Sequence, residues 1–257
     1  MSCADAGPLA PAGPLAPAGA QRPTLEQERR LWRAGHEVVA GLDEVGRGAW
    51  AGPLTVGVAV LRPRIRKLPE WLRDSKLLSE DRRERVFEEI AAWCRCWSVG
   101  HASAEECDRW GMTAALRLAS YRALAGLDCR ADALLVDGPL DLLAAPRPRP
   151  VQGELELLPP AGRADPATIE LPEVGELPLR VPVVDGDARC AAVAAASVLA
   201  KVTRDRLMRE ESAHFPAYCF DANKGYPSAV HQMALRGYGL SAIHRRSWSF
   251  VGDLPWR

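Results

Sequence analysis

Residues 36–61 read HEVVAGLDEVGRGAWAGPLTVGVAVL, and the fold turns on them. The first part, 36–43, reads as a strand. The last, 54–61, is β-branched and apolar throughout, the pattern of a strand buried on both faces. Between them lies a glycine-rich turn. Two carboxylates, Asp43 and Glu44, end the first strand beside Gly46, Arg47 and Gly48. Two readings of this turn stay open on local pattern. In one it is a plain β-turn with solvated charges, because an acid and a glycine after an apolar run are ordinary turn residues. In the other it is a metal site beside a grip for phosphate or sugar. Glycines let backbone approach a ligand and expose N–H groups, and arginine offers a fork for phosphate. Neighbouring strand residues point to opposite faces, so Asp43 and Glu44 share a site only where the strand ends or twists.

Outward from this hairpin the pattern alternates. A helix is expected over 24–34, with Thr24 as N-cap and Gln27 three residues on. A second is expected over 79–93, with Ser79 as N-cap and Val86, Phe87, Ile90 and Trp93 at helical spacing. Residues 97–103 read as a strand, and 104–110 and 113–126 as helices. Residues 133–136 form a short buried strand ending at Asp137. Residues 179–184 form another, ending at Asp185, Gly186 and Asp187. The run 191–211 (AAVAAASVLAKVTRDRLMREE) is a long helix, whose alanines let it lie close on a sheet. A short helix is expected over 228–236. Strands first and helices gathered late give an α/β fold with a mixed β-sheet flanked by helices, and a C-terminal helical region over about 212–257.

Two segments stand apart. Residues 1–23 repeat the unit AGPLAP and read as a flexible Pro/Ala/Gly-rich tail outside the fold; residues 144–180 are proline-rich and read as a surface insertion. The catalytic domain is then 24–257. The 257 residues suffice for one sizeable domain, and 33 basic against 33 acidic residues give no net charge. Binding of nucleic acid by bulk charge is thereby excluded, and a local patch must serve. The seven cysteines form no CxxC and read as free thiols. No apolar run approaches the ~20 residues of a membrane span, and no basic segment leads into an apolar one at the N-terminus. Cytoplasm is the expected compartment and no membrane partner is expected.

Asp43, Glu44, Asp137 and Asp187 share one placement, the carboxyl ends of strands, where open α/β sheets collect their ligand sites. Converging carboxylates repel unless a cation stands among them, and hard oxygen donors favour Mg2+ or Mn2+. A pair of such ions about 4 Å apart can run a phosphoryl displacement. Basic residues add a further signal: nine between 62 and 85 against five acids, Lys224 beside Gly225 and Tyr226, and His244-Arg245-Arg246. A solvated face accounts for these equally well.

Six motifs in order carry a resemblance: DEVGRG (43–48), DSKLLS (74–79), VDG (136–138), GDA (186–188) with AAASVLAKVTRD (194–205), NKGYP (223–227) and HRRS (244–247). Together they resemble the ribonuclease HII family, from about 38 to 248. The resemblance implies a ribonuclease-H-like fold. It implies cleavage of the RNA strand of RNA/DNA hybrids and nicking on the 5′ side of single ribonucleotides in duplex DNA, with 3′-hydroxyl and 5′-phosphate ends, as in ribonucleotide excision repair. By position it implies that Asp43, Glu44, Asp137 and Asp187 are catalytic and hold two Mg2+ or Mn2+ ions. It implies that Gly46, Arg47 and Gly48 contact the 2′-hydroxyl, that Tyr226 stacks on the adjoining deoxyribose and that Lys76 contacts phosphate. A monomer is implied, and no clamp-binding motif is evident after Trp248. The chain departs from the family in three places. Asp185 stands where a lysine is common, Leu77 replaces a common second lysine, and the 137–187 segment is long. Two rivals remain: a silent hybrid-binding protein, opposed by the presence of all four acids, and a DNA-directed nuclease, opposed by the Gly-Arg-Gly loop.

Overall fold

The computed structural model describes residues 22–63, 65, 68–69, 72, 78–138, 143 and 164–254. Five strands form one mixed sheet: β1 (Val39–Val45), β2 (Leu54–Val60), β3 (Cys96–Ala102), β4 (Ala133–Asp137) and β5 (Leu179–Val183), in the order β3-β2-β1-β4-β5. β1, β2 and β3 pair antiparallel, and β4 and β5 extend the sheet parallel to β1. The fully buried run of β2 sits inside the sheet, as its composition requires. β1 begins three residues later than expected. His36 and Glu37 lie outside the ladder, and the Asp132 carboxylate accepts from Glu37 N (2.8 Å) and Val38 N (3.1 Å) at its entrance.

The helices are α1 (Glu26–Arg33), α2 (Glu80–Trp93), α3 (Ala104–Trp110), α4 (Met112–Ala125), α5 (Gly186–Arg189), α6 (Ala191–His214), α7 (Phe220–Asn223) and α8 (Ala229–Tyr238). Ser79 caps α2 as expected, accepting from Arg82 N at 3.4 Å, and Ser103 and Glu106 form a capping box on α3. Thr24 is not the N-cap residue of α1, a place taken by Leu25, although its Oγ1 accepts from Glu26 N at 3.3 Å. Thr24 instead pairs with Cys190 as a β-bridge, and its backbone joins α1 to the start of α6 through Thr24 N to Arg189 O (2.9 Å) and Ala191 N to Thr24 O (3.0 Å). Backbone pairing with a distant segment here outweighs the local capping signal.

α6 packs on one face of the sheet and α4 on the other. α6 lies close because the strands beneath it carry glycines. A Cβ on Gly41 would fall 2.2 Å from the Ala192 carbonyl carbon, and one on Gly57 would fall 2.5 Å from Ala196 O. A further apolar cluster joins Ala51, Met208, Tyr218, Phe220, Leu235 and Phe250, and so seats the C-terminal segment on the far end of α6. Cys96 and Cys129, at the ends of β3 and the α4–β4 connection, meet as a disulfide, against the expectation of seven free thiols. They lie 33 residues apart, and only the passage of α4 over the sheet brings them together. Among the described residues no helix is long and apolar enough to cross a membrane. Residues 1–21 of the expected tail and 144–163 of the expected insertion lie outside the described residues.

Candidate active site

The parallel pairing of β1 with β4 brings the acids together. Leu42 stands beside Val136, so Asp43 and Asp137 follow one step on at the same sheet edge. Asp137 stands beside Val183 of β5, after which the chain turns into α5 and delivers Asp187. Gly186 N donates to Asp137 Oδ1 at 2.6 Å and ties this turn to β4. Asp43 is buried on the α6 side of the sheet, where Ser197 of α6 donates to its carboxylate. Its Oδ1 also accepts from Glu44 N at 2.8 Å, within the strand, which runs on to Val45. Glu44 lines the same cleft as Asp43 despite the strand alternation, and its Oε1 pairs with Arg47 Nη1 at 3.0 Å. Asp185 is exposed, with a left-handed backbone at φ 53°, and does not join the buried acids.

Burial pushes the Asp43 carboxyl up from 3.8 to about 8; the Ser197 bond opposes this, and the charges of Glu44, Asp137 and Asp187 add to it. All four acids are thus electrostatically coupled at one place. Among the described residues no three or more His, Cys, Asp or Glu side chains are grouped closely enough, as they stand, to hold a metal ion. The donor set nevertheless fits a hard divalent cation: every candidate ligand is a carboxylate oxygen, and Asp43 lacks the positive charge that would let it ionise at neutral pH.

Asp43 to Gly48 line one cleft with Arg83, Ser197, Lys201 and Tyr226. Gly46 has φ 92°, and a Cβ there would fall 2.5 Å from Arg204 Nε and 2.8 Å from Pro53 O, so only glycine fits. Arg47 and Gly48 are exposed at the cleft rim. The turn at 223–226 docks directly behind: Trp50 N and Ala51 N donate to Gly225 O at 2.8 and 3.2 Å. Tyr226 is half-buried, with the Arg204 guanidinium 5.2 Å and Lys201 Nζ 5.6 Å from its ring centre. The expected site residues Asp43, Glu44, Gly46, Arg47, Gly48 and Tyr226 therefore meet in one cleft, with Asp137 and Asp187 beside Asp43. Lys76 lies outside the described residues.

Three of the basic residues read as a solvated or phosphate-facing set are turned inward. Lys224 is buried and pairs with Glu80 Oε1 at 2.9 Å, fastening the turn to the start of α2. Arg245 is fully buried and donates to Gly52 O (3.0 Å) and Gly46 O (2.7 Å); burial draws its pKa down to about 10. His244 is buried too. Arg204, which the sequence reading passed over, donates to Pro53 O, Lys224 O and Ala51 O at 2.9, 2.9 and 3.1 Å. Ser197, Lys201 and Arg83 were likewise missed. Buried Asp205 accepts from Lys201 at 2.6 Å and has Arg83 3.9 Å away. A signal for Ser197, Lys201 and Arg204 existed: they recur at steps of four and three along an alanine-rich helix, a polar stripe on a face that must look inward.

A family model described as Ribonuclease HII matches residues 40–148 and 176–251. The ribonuclease HII of Streptomyces avermitilis is 44% identical over 237 residues, spanning 91% of this chain and 88% of that protein. Among solved structures, ribonuclease H2 from Pyrococcus horikoshii OT3 aligns with a TM-score of 0.61 at 24% identity, over 84% of this chain and 96% of that one. Bst-RNase HIII in complex with Mn2+ aligns at 0.56 and 19%, over 79% and 63% of the two chains. These two likenesses concern the fold, a ribonuclease-H-like mixed sheet flanked by helices. The family model and the sequence relatives establish that the chain belongs to the ribonuclease HII family and is a hydrolytic ribonuclease.

Proposed function

We propose that the protein cuts the RNA strand of RNA/DNA hybrids and nicks duplex DNA on the 5′ side of a single embedded ribonucleotide, leaving 3′-hydroxyl and 5′-phosphate ends. The observation that carries this reading is a cleft lined by Asp43, Glu44, the Gly-Arg-Gly loop and Tyr226, with the charges of Asp137 and Asp187 acting on Asp43 from beside it. Asp43, Glu44, Asp137 and Asp187 hold Mg2+ or Mn2+, in keeping with the Mn2+ complex of the related Bst-RNase HIII. Two such ions, when bound, supply an activated water and offset charge on the leaving oxygen. Ser197 orients the Asp43 carboxylate. Arg47 spends little to leave Glu44, because an ion pair this exposed is worth under about 1 kcal/mol. Its guanidinium then turns to phosphate while the exposed backbone at Gly48 meets the 2′-hydroxyl. Tyr226 offers its ring to the adjoining deoxyribose, and Lys76 contacts phosphate. The working unit is a monomer.

The test is a panel of three duplexes, all-DNA, one ribonucleotide and long hybrid, each with Mg2+, Mn2+ or EDTA. The two ribonucleotide substrates are expected to be cut only with metal. Asp43→Asn is expected to lower kcat by roughly a hundredfold or more. Equal cutting of the all-DNA duplex, or full activity in EDTA, would overturn the assignment.

A further inference from the structure

The turn that carries Tyr226 is held from behind by two histidines. His231, in the first turn of α8, and His244 are 0% and 1% exposed. Their Nε2 atoms lie 2.9 Å apart. His231 Nδ1 is 2.9 Å from Tyr226 O, and His244 Nδ1 is 2.9 Å from Ser241 N and 2.7 Å from Ser241 Oγ.

Both ends of this chain have a fixed sense. A backbone N–H only donates and a carbonyl only accepts. The Ser241 amide therefore makes His244 Nδ1 an acceptor. A neutral His244 then carries its proton on Nε2 and donates it to His231 Nε2. His231 carries its own proton on Nδ1 and donates it to Tyr226 O. One arrangement of two protons satisfies every contact, and a proton added to either ring sets N–H against N–H. Burial and the neighbouring His231 hold His244 down to about 3, and burial lowers His231, so both rings are neutral at neutral pH.

The Tyr226 carbonyl is an unusual handle. Pro227 follows it, so the peptide between them has no N–H and its oxygen is its sole polar atom. Tyr226 N donates to Asn223 O at 2.9 Å, so the residue is held on both sides, by Asn223 before it and by His231 after it. The same histidines touch the other reading loop. His231 packs 5.8 Å from the Trp50 ring, and His244 bridges to Ala51 as a β-pair.

We propose that Ser241, His244 and His231 form a one-way hydrogen-bond chain that sets the position of Tyr226 for recognition of the ribonucleotide junction. His231 and His244 are positioning residues, acting through Tyr226. The inference rests on the reading of Tyr226 as the residue that stacks on substrate.

The experiment is a double-mutant cycle on the full chain, read as kcat/KM on a duplex with one ribonucleotide and as the thermal midpoint. His231→Leu is expected to lower kcat/KM about tenfold, the loss of one buried hydrogen bond. His231→Asn, which keeps a donor at the Nδ1 position, is expected to recover most of it. In a Tyr226→Ala background His231→Leu is expected to add less than about a twofold loss, because two residues acting as one unit do not add. Full additivity there, or no recovery by asparagine, would overturn the inference alone. A fully active Tyr226→Ala would overturn the reading of Tyr226 and the inference with it. Nitrogen chemical shifts of the parent protein at pH 7 give an independent check: His231 protonated on Nδ1 and His244 on Nε2. The reverse pair of tautomers would refute the chain.

Discussion

Glu28 shows how a single residue ties the fold to pH. It is fully buried on α1, where Oε1 accepts from Ala192 N at 2.8 Å and Oε2 has no hydrogen-bond partner. Burial pushes its carboxyl up from 4.5 to about 7 against the backbone bonds that favour the charge. A raised folded pKa means that the unfolded chain gives up the proton first. Stability from this site is therefore complete below about pH 4.5 and is lost as pH rises through about 7. Glu28→Gln should leave the unfolding midpoint near pH 4.5 unchanged and stabilise the protein by about 3 kcal/mol at pH 8. Equal midpoints at pH 8 would contradict it. Nothing in the sequence separates Glu28 from the exposed acids around it, whereas Asp43 and Asp137 each follow an apolar run directly and Asp187 follows one by two residues. The inward turn of Arg204, Arg245, Lys224 and His244 was not legible. The acceptors of both arginines are loop carbonyls, which carry no residue signature, and a basic side chain by itself reads as surface.

Elements were easier to read than their contacts. The β-branched run of β2 and the cap of α2 declare themselves locally, so these appear where expected, whereas α1 starts later, beyond Thr24, which pairs with Cys190. The alanine stretch of α6 announced close packing, and the structure adds its complement, the glycines of β1 and β2. This pairing makes a test at the scale of the element. Gly41→Ala should cost about 1–3 kcal/mol, because its methyl group has only α6 backbone to meet. Gly48→Ala, with open space around it, should leave the unfolding midpoint unchanged while lowering kcat/KM on the single-ribonucleotide duplex. Thermal unfolding of both variants beside activity separates a packing glycine from a substrate-facing one. A destabilised Gly48→Ala would remove the distinction.

In the whole molecule, function depends on segments far apart in sequence. Removing residues 1–21 should leave turnover and stability unchanged, since Thr24 begins the contacts that hold α1 against α6. Removing 1–34 should lower the unfolding midpoint markedly, because Leu25, Glu28 and Leu31 go with it and all three are buried. A loss of turnover in the shorter deletion would show that the tail has work of its own. The bond from Arg245 to Gly46 closes 199 residues of chain. Its consequence concerns time. On the ribosome Asp43, Glu44 and the Gly-Arg-Gly loop emerge early, yet the bond to Gly46 O waits until Arg245 has left the exit tunnel. A polypeptide that stops short of Arg245 would carry all four acids and still lack the bond that braces the Gly-Arg-Gly loop, so interrupted synthesis yields a chain with an unfinished cleft.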